Sequence, residues 1–184
     1  MSKYITLVGS REMPDEVKII CTKVGKKLAQ LGYIGRSGFA DGADINFFKG
    51  YVEAGFPDRF VNYIPWPNFR KKEEPYYSNV GSTFSLVPDK VYLEAEELAR
   101  NIHPAWDRCG RGAKALHTRN VCQVLGGDIK TPSIALYCYA PMDKNSDPKG
   151  GTRTAWLLAK EHGICCKNLY DENTMKECID WLGK

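Results

Sequence analysis

Three short glycine-containing segments carry the residue types that bind anions. They are residues 9–11 (Gly-Ser-Arg), 37–44 (Ser-Gly-Phe-Ala-Asp-Gly-Ala-Asp) and 149–152 (Lys-Gly-Gly-Thr). Small residues let the backbone approach a ligand, and hydroxyl and guanidinium groups donate hydrogen bonds to anionic oxygen. The second and third segments precede predicted helices, whose unpaired N–H groups and dipoles favour phosphate. The candidate ligand residues are Gly9, Ser10, Arg11, Ser37, Gly38, Ala40, Gly42, Ala43, Asp44, Gly150, Gly151 and Thr152.

Each of these features also has a structural explanation. Glycine loops are common connectors, so tight-turn geometry explains any one of them as well as ligand binding does. Asp44 either accepts a hydrogen bond from a ribose hydroxyl or caps the helix that follows it. Arg119, next to Asn120 on a predicted helix, either faces the ligand or lies on the solvated helix surface. Three such loops at the ends of strands favour a common pocket.

The segments between these loops predict an α/β fold. Short apolar and β-branched runs, typical of strands, occur at residues 4–8, 33–36, 59–65, 133–139 and 164–169. Apolar residues recur at helical spacing in residues 14–31, 45–54, 90–102, 113–125, 154–162 and 174–182. This alternation predicts a Rossmann-like three-layer sandwich with a mostly parallel central sheet. Such sheets bind ligands at the carboxyl ends of their strands, where the three loops lie.

Residues 66–88 interrupt the alternation with prolines, aromatic residues and charges. We predict an irregular excursion there, which either covers the pocket or binds a partner. Trp66, Phe69, Tyr76 and Tyr77 could stack on a base, although aromatic residues in irregular loops more often anchor the loop or build a subunit interface. The chain of 184 residues otherwise fits a single domain with one core.

Composition narrows the functional class. The chain is 43% hydrophobic and 26% charged, which is typical of a globular protein rather than a disordered one. Its formal charge of +4 suits an anionic small ligand but falls short of a nucleic-acid-binding signature. Seven cysteines, an odd number, and the lack of a secretory apolar segment predict a cytoplasmic protein. The sequence predicts no metal site, no cofactor and no membrane span.

The order of these motifs resembles the SLOG superfamily of Rossmann-like proteins. The resemblance rests on Gly9-Ser10-Arg11, residues 37–44, Arg119-Asn120 followed by Asp128, and Gly150-Gly151-Thr152. It extends from Tyr4 to about Leu169, apart from residues 66–88. The superfamily includes the DNA-processing protein Smf/DprA, the LOG phosphoribohydrolases and nucleotide-sensing domains. The resemblance implies a nucleotide-related ligand over the loops, lined by Arg119 and Asn120, and a homodimer.

One departure from the LOG enzymes concerns catalysis. Those enzymes carry a catalytic glutamate shortly after a Gly-Gly-x-Gly-Thr loop, whereas Thr152 is followed here by Arg-Thr-Ala, and the loop lacks one glycine. Cleavage of an N-glycosidic bond needs a carboxylate that stabilises positive charge on the ribosyl ring or activates water. Asp44, Glu94 and Asp128 are candidate substitutes, and nothing in their spacing selects one of them.

Three functions are consistent with these residues. The first is binding of a nucleotide or nucleotide-derived molecule by a sensor or sequestering protein, without turnover. The second is a LOG-like phosphoribohydrolase, which cleaves the N-glycosidic bond of a nucleoside 5′-monophosphate. The third is single-stranded DNA binding as in Smf/DprA, which the lack of an extensive basic groove with interleaved aromatic residues disfavours.

Overall fold

The computed structural model of the protein describes residues 3–70, 72 and 83–184, in which strands and helices alternate. The strands are β1 (Tyr4–Gly9), β2 (Ile34–Ser37), β3 (Phe60–Ile64), β4 (Thr83–Leu86), β5 (Ala135–Tyr139) and β6 (Cys165–Asn168). The helices are α1 (Asp15–Gln30), α2 (Ala43–Glu53), α3 (Asp89–Ile102), α4 (Arg111–Leu125), α5 (Thr152–Glu161) and α6 (Glu172–Leu182). Single 3₁₀ turns at Pro57–Arg59 and Trp106–Arg108 precede β3 and α4.

All of these strands pair in parallel in one sheet, in the order β4-β3-β2-β1-β5-β6. Strands β2, β3 and β4 follow one another on one side of β1. The next two strands along the chain, β5 and β6, lie on the other side of β1. The connections therefore diverge between β1 and β5. Open α/β sheets bind ligands at such a switch point, outside the carboxyl ends of the strands.

Helices cover both faces of the sheet. On one face α1, α2 and α6 bury a core that includes Leu7 and Phe47. On the other, α3, α4 and α5 bury a second core that includes Val8 and Leu136. Neighbouring residues of β1 thus serve opposite cores, because successive side chains of a strand point to opposite faces. Burial on both faces explains why the central strands β1 and β5 are largely apolar. The predicted three-layer α/β fold is confirmed.

Strand β4 corrects one part of the sequence analysis. Residues 83–86 fall in the stretch that we predicted to be irregular, but they form an edge strand whose register aligns Val61 with Thr83 and Ile64 with Leu86. The run is only four residues long, and an edge strand needs one neighbour rather than two. Residues 83–86 therefore form a strand because they pair with β3, although the local sequence pattern does not predict one.

The described beginning of the excursion is anchored by aromatic packing. The rings of Trp66 and Phe69 meet edge to face with centroids 5.4 Å apart, and Phe69 is buried. This supports the anchoring interpretation for Phe69. Tyr76 and Tyr77 lie outside the described residues. In the parts of the chain that the structure describes, no helix is long and apolar enough to cross a membrane.

Candidate functional site

The loops that follow β1, β2 and β5 meet at the carboxyl edge of the sheet and surround a cavity of about 370 Å³. This volume is in the range of small-molecule binding sites. The structure brings the following predicted residues to the cavity wall: Gly9, Ser10, Arg11, Ala40, Asp44, Arg119, Asn120, Gly150, Gly151 and Thr152.

Two glycines allow the first and second loops to pack against each other. A Cβ atom on Gly9 would lie 2.5 Å from the Tyr139 carbonyl oxygen and 2.6 Å from the Ala43 Cβ. Gly42 has a φ of +78°, and a Cβ atom there would overlap the Ser10 carbonyl oxygen. The Ala43 N–H donates to that same carbonyl at 3.1 Å. Both glycines are therefore required for the close approach of the two loops, whatever the cavity binds.

Asp44 holds the second loop in shape. Its Oδ2 accepts hydrogen bonds from the backbone N–H groups of Gly38, at 3.1 Å, and Ala40, at 3.3 Å. Burial raises the pKa of the Asp44 carboxyl above its usual range, while Arg119 and the two amides act in the opposite direction. Asp44 does not cap α2, because it lies inside the helix and Gly42 is the N-cap residue. Its carboxylate instead binds amides of the preceding loop, and the ribose alternative stays a prediction.

Three of the amides that we predicted to be free in the second loop are bonded within the protein. The N–H groups of Gly38 and Ala40 bind the Asp44 carboxylate, and the N–H of Ala43 binds a carbonyl of the first loop. The Ser37 hydroxyl donates to the Leu7 carbonyl at 2.5 Å. This loop therefore shapes the cavity instead of offering these amides to an anion. The predicted residues outside the cavity lining are Ser37, Gly38, Gly42 and Ala43.

The third loop keeps its backbone donors available. Among the residues that the structure describes, the N–H groups of Gly150, Gly151 and Thr152 make no hydrogen bond. These groups belong to the positive end of the α5 dipole, and all three residues line the cavity. The Asn120 side-chain amide donates to the Gly151 carbonyl at 2.9 Å, which ties the loop to α4. Lys149, exposed beside the loop, adds a positive charge to the wall.

Helix α4 forms a wall of the cavity that the sequence analysis largely missed. Only Arg119 and Asn120 of its lining residues were predicted. Residues three or four apart share one face of a helix, so the spacing from Asn120 would have indicated Leu116 and Gln123. The further lining residues on α4 are Ala113, Leu116, His117 and Gln123.

Arg119 lies at the base of this wall and is 4% exposed. Its Nη1 is 4.0 Å from Asp44 Oδ2. The Gln123 amide is oriented with its oxygen toward the donors, where it accepts from Arg119 Nη1 at 2.5 Å and from the Gly38 N–H at 2.9 Å. Burial lowers the pKa of Arg119 to about 10, so the guanidinium keeps its charge at neutral pH. The surface alternative for Arg119 is excluded, because the side chain is buried under the cavity.

The structure does not bring Glu94 or Asp128 to the cavity. Glu94 is exposed on α3. Asp128 lies on the loop that enters β5, at the opposite edge of the sheet, where it accepts a hydrogen bond from the Thr131 hydroxyl at 2.7 Å. That bond and two backbone donors lower the pKa of Asp128. Within the described residues, Asp44 is the one carboxylate in the cavity wall, and its Oδ2 is bonded to the second loop.

Three side chains able to bind a metal lie beside the cavity. The ligand atoms of His103, Cys109 and His117 are all within 4.8 Å of one another. Burial, with contributions from His103 and Arg119, lowers the pKa of His117 to about 4, so its ring is neutral near pH 7. The sequence analysis predicted no metal site because these residues come from the end of α3, a connecting loop and the middle of α4. No short motif marks such a cluster.

Comparisons with known proteins do not assign the chain to a family. A scan against protein-family models and a search of curated proteins found no match. A search of solved structures matched DNA processing protein A from Helicobacter pylori, in a structure reported for its unique single-stranded DNA binding mode. The chains are 11% identical, with a TM-score of 0.42 over 99% of this chain and 80% of that one. A similarity at this level carries no functional argument, and membership of the SLOG superfamily stays a prediction.

Proposed function

We propose that the protein binds a nucleotide or nucleotide-derived molecule, with a phosphate group at the N-terminus of α5. The observation that carries this proposal is the wall formed by Gly150, Gly151 and Thr152, whose N–H groups make no hydrogen bond among the described residues. Unpaired amides at the positive end of a helix dipole bind phosphate well. Lys149 and Arg11 also line the cavity and add two exposed positive charges.

The remainder of the cavity favours a ligand larger than inorganic phosphate. A volume of about 370 Å³ leaves room for a ribose and a base beyond the phosphate. The rest of the cavity lining includes apolar side chains, such as Val8 and Leu116, which accommodate a flat ring. The amide groups of Asn120 and Gln123 also line the cavity, and their bonds to Gly151 and Arg119 hold that part of the wall in shape.

Binding without turnover is the activity that this wall supports. Cleavage of the N-glycosidic bond requires a carboxylate that is free to stabilise charge or to activate water. Asp44 is bonded to the amides of Gly38 and Ala40 and lies beside Arg119. A sensor or sequestering role therefore fits better than a phosphoribohydrolase. A homodimeric state and a cytoplasmic location stay predictions.

A ligand panel tests the proposal directly. The full chain is screened by thermal shift against mono-, di- and cyclic nucleotides and ADP-ribose, each beside its phosphate-free nucleoside. A ligand that binds only the folded state raises Tm, so phosphate-bearing members should raise it and nucleosides should not. Chromatography of the incubated nucleotides should show no released base. Equal binding of nucleosides, or no binding by any phosphate-bearing member, would overturn the proposal.

Charge-neutral variants locate the phosphate. Lys149→Met and Arg11→Met should each weaken nucleotide binding about tenfold, since a hydrogen bond to a charged group contributes roughly 1.5–3 kcal/mol. Lys130→Met is the matched control, because Lys130 is exposed on the loop before β5, at the opposite edge of the sheet. Isothermal titration calorimetry measures all three variants. An equal loss in the control would show that net charge, rather than the α5 site, binds the ligand.

A further inference from the structure

We propose that His103, Cys109 and His117 form a binding site for a divalent transition-metal ion, with Zn²⁺ as the best fit. The site lies next to the proposed nucleotide cavity but depends on different atoms. Two imidazoles and a thiolate are ligands that zinc accepts, whereas magnesium and calcium require oxygen ligands. This site goes beyond the proposed function, and its failure would leave nucleotide binding intact.

The spacing of the ligand atoms matches a tetrahedral centre. With bonds of about 2.3 Å to sulfur and about 2.0 Å to nitrogen, a tetrahedral zinc ion separates these two atoms by about 3.5 Å. The Sγ of Cys109 lies 3.8 Å from Nδ1 and 3.9 Å from Nε2 of His103. The rings of His103 and His117 have centroids 4.2 Å apart. The Sγ–N distances thus exceed the tetrahedral value by about 0.3–0.4 Å, and all three ligand atoms lie within 4.8 Å of one another. Rotation of the two imidazole rings about their side-chain bonds would turn their nitrogens toward a shared ion.

The second nitrogen of His117 already has a partner. Its Nδ1 is 2.8 Å from the Thr154 hydroxyl, which leaves Nε2 for the metal. Histidine ligands characteristically bond their other ring nitrogen in this way, because the contact fixes the ring orientation and the tautomer. Thr154 is buried, with 1% exposure, so this partner is held in place by the packing of α5.

The loop that carries Cys109 is folded around His103. The N–H of Ala105 donates to His103 Nδ1 at 3.2 Å, and the Cys109 thiol donates to the Ala105 carbonyl at 3.5 Å. A metal bound to Nδ1 of His103 would replace the Ala105 N–H, and a metal bound to Nε2 would leave the ring proton on Nδ1, which then accepts no hydrogen bond. Either mode of ligation therefore removes the contact with the Ala105 N–H. A bond to the metal compensates this loss and would join the loop to α4.

Three protein ligands leave a fourth coordination position open. His103 and His117 line a second cavity of about 330 Å³, which also contacts Gly150 and Gly151. A water molecule or a ligand oxygen therefore has room to complete the coordination. Sites with three protein ligands and an exchangeable position are characteristic of zinc centres that bind or activate small molecules.

Metal titration tests the site in the full-length protein. After treatment with a chelator, the protein should bind one equivalent of Zn²⁺ by calorimetry and gain thermal stability. With Co²⁺ in place of zinc, a thiolate-to-cobalt charge-transfer band should appear together with visible bands of tetrahedral intensity. Binding without the charge-transfer band would exclude Cys109 as a ligand and overturn the proposed site.

Matched variants identify the ligands. Cys109→Ser and His103→Asn should weaken Zn²⁺ binding by more than the roughly 10- to 100-fold that follows loss of an outer-shell partner. Thr154→Val should weaken Zn²⁺ binding by roughly 10- to 100-fold, because Thr154 is an outer-shell partner. Circular dichroism of the metal-free variants should show the wild-type fold. The controls are Cys165→Ser, at the exposed first position of β6, and His162→Asn, at the residue that follows α5. Wild-type affinity in Cys109→Ser, or an equal loss in either control, would refute the assignment.

Discussion

Two arginines are buried to the same extent in opposite regions of the molecule. Arg36 on β2 is 3% exposed, and Arg119 on α4 is 4% exposed. Arg36 stacks 3.6 Å from the centroid of the Tyr4 ring and donates to the Thr131 carbonyl at 2.7 Å, which joins the loop before β5 to the sheet. Arg119 lies between the carboxylate of Asp44, 4.0 Å away, and a cavity large enough for a ligand.

This difference shows that the groups in contact with a buried charge, rather than the extent of its burial, indicate its role. Burial lowers the pKa of Arg36 and of Arg119. The aromatic face and backbone carbonyl around Arg36 belong to the fold itself, so its charge is stabilised by the protein without a ligand. The charge of Arg119 adjoins a cavity whose lining contains two more cations, Arg11 and Lys149. We therefore expect Arg36 to stabilise the fold and Arg119 to stabilise the bound ligand.

The largest effect should come from Arg36→Met. Loss of a charged hydrogen bond and a cation–π contact should lower the free energy of unfolding by about 2–4 kcal/mol. Urea denaturation measures this change. Nucleotide affinity should stay within about twofold of the wild type, which corresponds to less than about 0.5 kcal/mol. If Arg36→Met lost as much nucleotide affinity as an Arg119 variant, the two arginines would not differ in role as proposed.

Arg119→Met should act mainly on the ligand. Removal of the charge should weaken nucleotide binding by at least about tenfold, or about 1.4 kcal/mol. It should also destabilise the fold, because Asp44 loses its cation, and Asp44→Asn should relieve part of that cost. A double-mutant cycle on unfolding should give a coupling energy of about 1–3 kcal/mol. A coupling near zero would mean that the ion pair at 4.0 Å contributes nothing to the fold.

A smaller effect is expected from Gly38→Ala. A Cβ atom at this position would overlap Arg119 Nη1 and displace the guanidinium. Because the end of a flexible side chain moves, the cost to stability should be about 1 kcal/mol, with a measurable loss of nucleotide affinity. Gly183→Ala is the control, since its added Cβ would make only ordinary contacts at 3.7 Å and 3.9 Å. Unchanged affinity in Gly38→Ala would show that the position of Arg119 does not matter for the ligand.

The smallest effect concerns an arginine that is not buried. Arg153 contacts Asp143 at 2.5 Å and holds the pKa of that carboxyl at about 2, below the ordinary value of 3.8. The stabilisation from this pair should be present above pH 3.8 and lost as the pH falls through 2. In Arg153→Met the pKa of the carboxyl, followed by NMR, should rise toward 3.8 but stay below it, because the N–H groups of Asn145 and Asp147 still donate to the Asp143 Oδ1. A pKa that stays near 2 in the variant would assign the shift to the backbone donors around Asp143.

The order of helices and strands could be predicted because its signals are local. The apolar run of β5 and the helical spacing of α1 each depend on residues within one element. Strand β4 escaped prediction since its four residues become a strand only through pairing with β3. The third glycine loop lies at the cavity because a helix that follows a strand begins at the carboxyl edge of the sheet.

The sequence could not predict which backbone donors and which charges are available to a ligand at the carboxyl edge of the sheet. Asp44 and the amide of Gly38 are six residues apart, and whether the amide meets a ligand or this carboxylate depends on how the loop folds back. The cluster of His103, Cys109 and His117 likewise requires α3, a loop and α4 to pack together.

The sequence by itself determined the alternation of elements, and with it the edge of the sheet where the glycine loops gather. Only the tertiary structure decided which backbone donors stay unpaired and which side chains converge. The physical reason is that helix and strand patterns reflect neighbours along the chain, whereas hydrogen-bond satisfaction and charge environment depend on groups that meet only after folding.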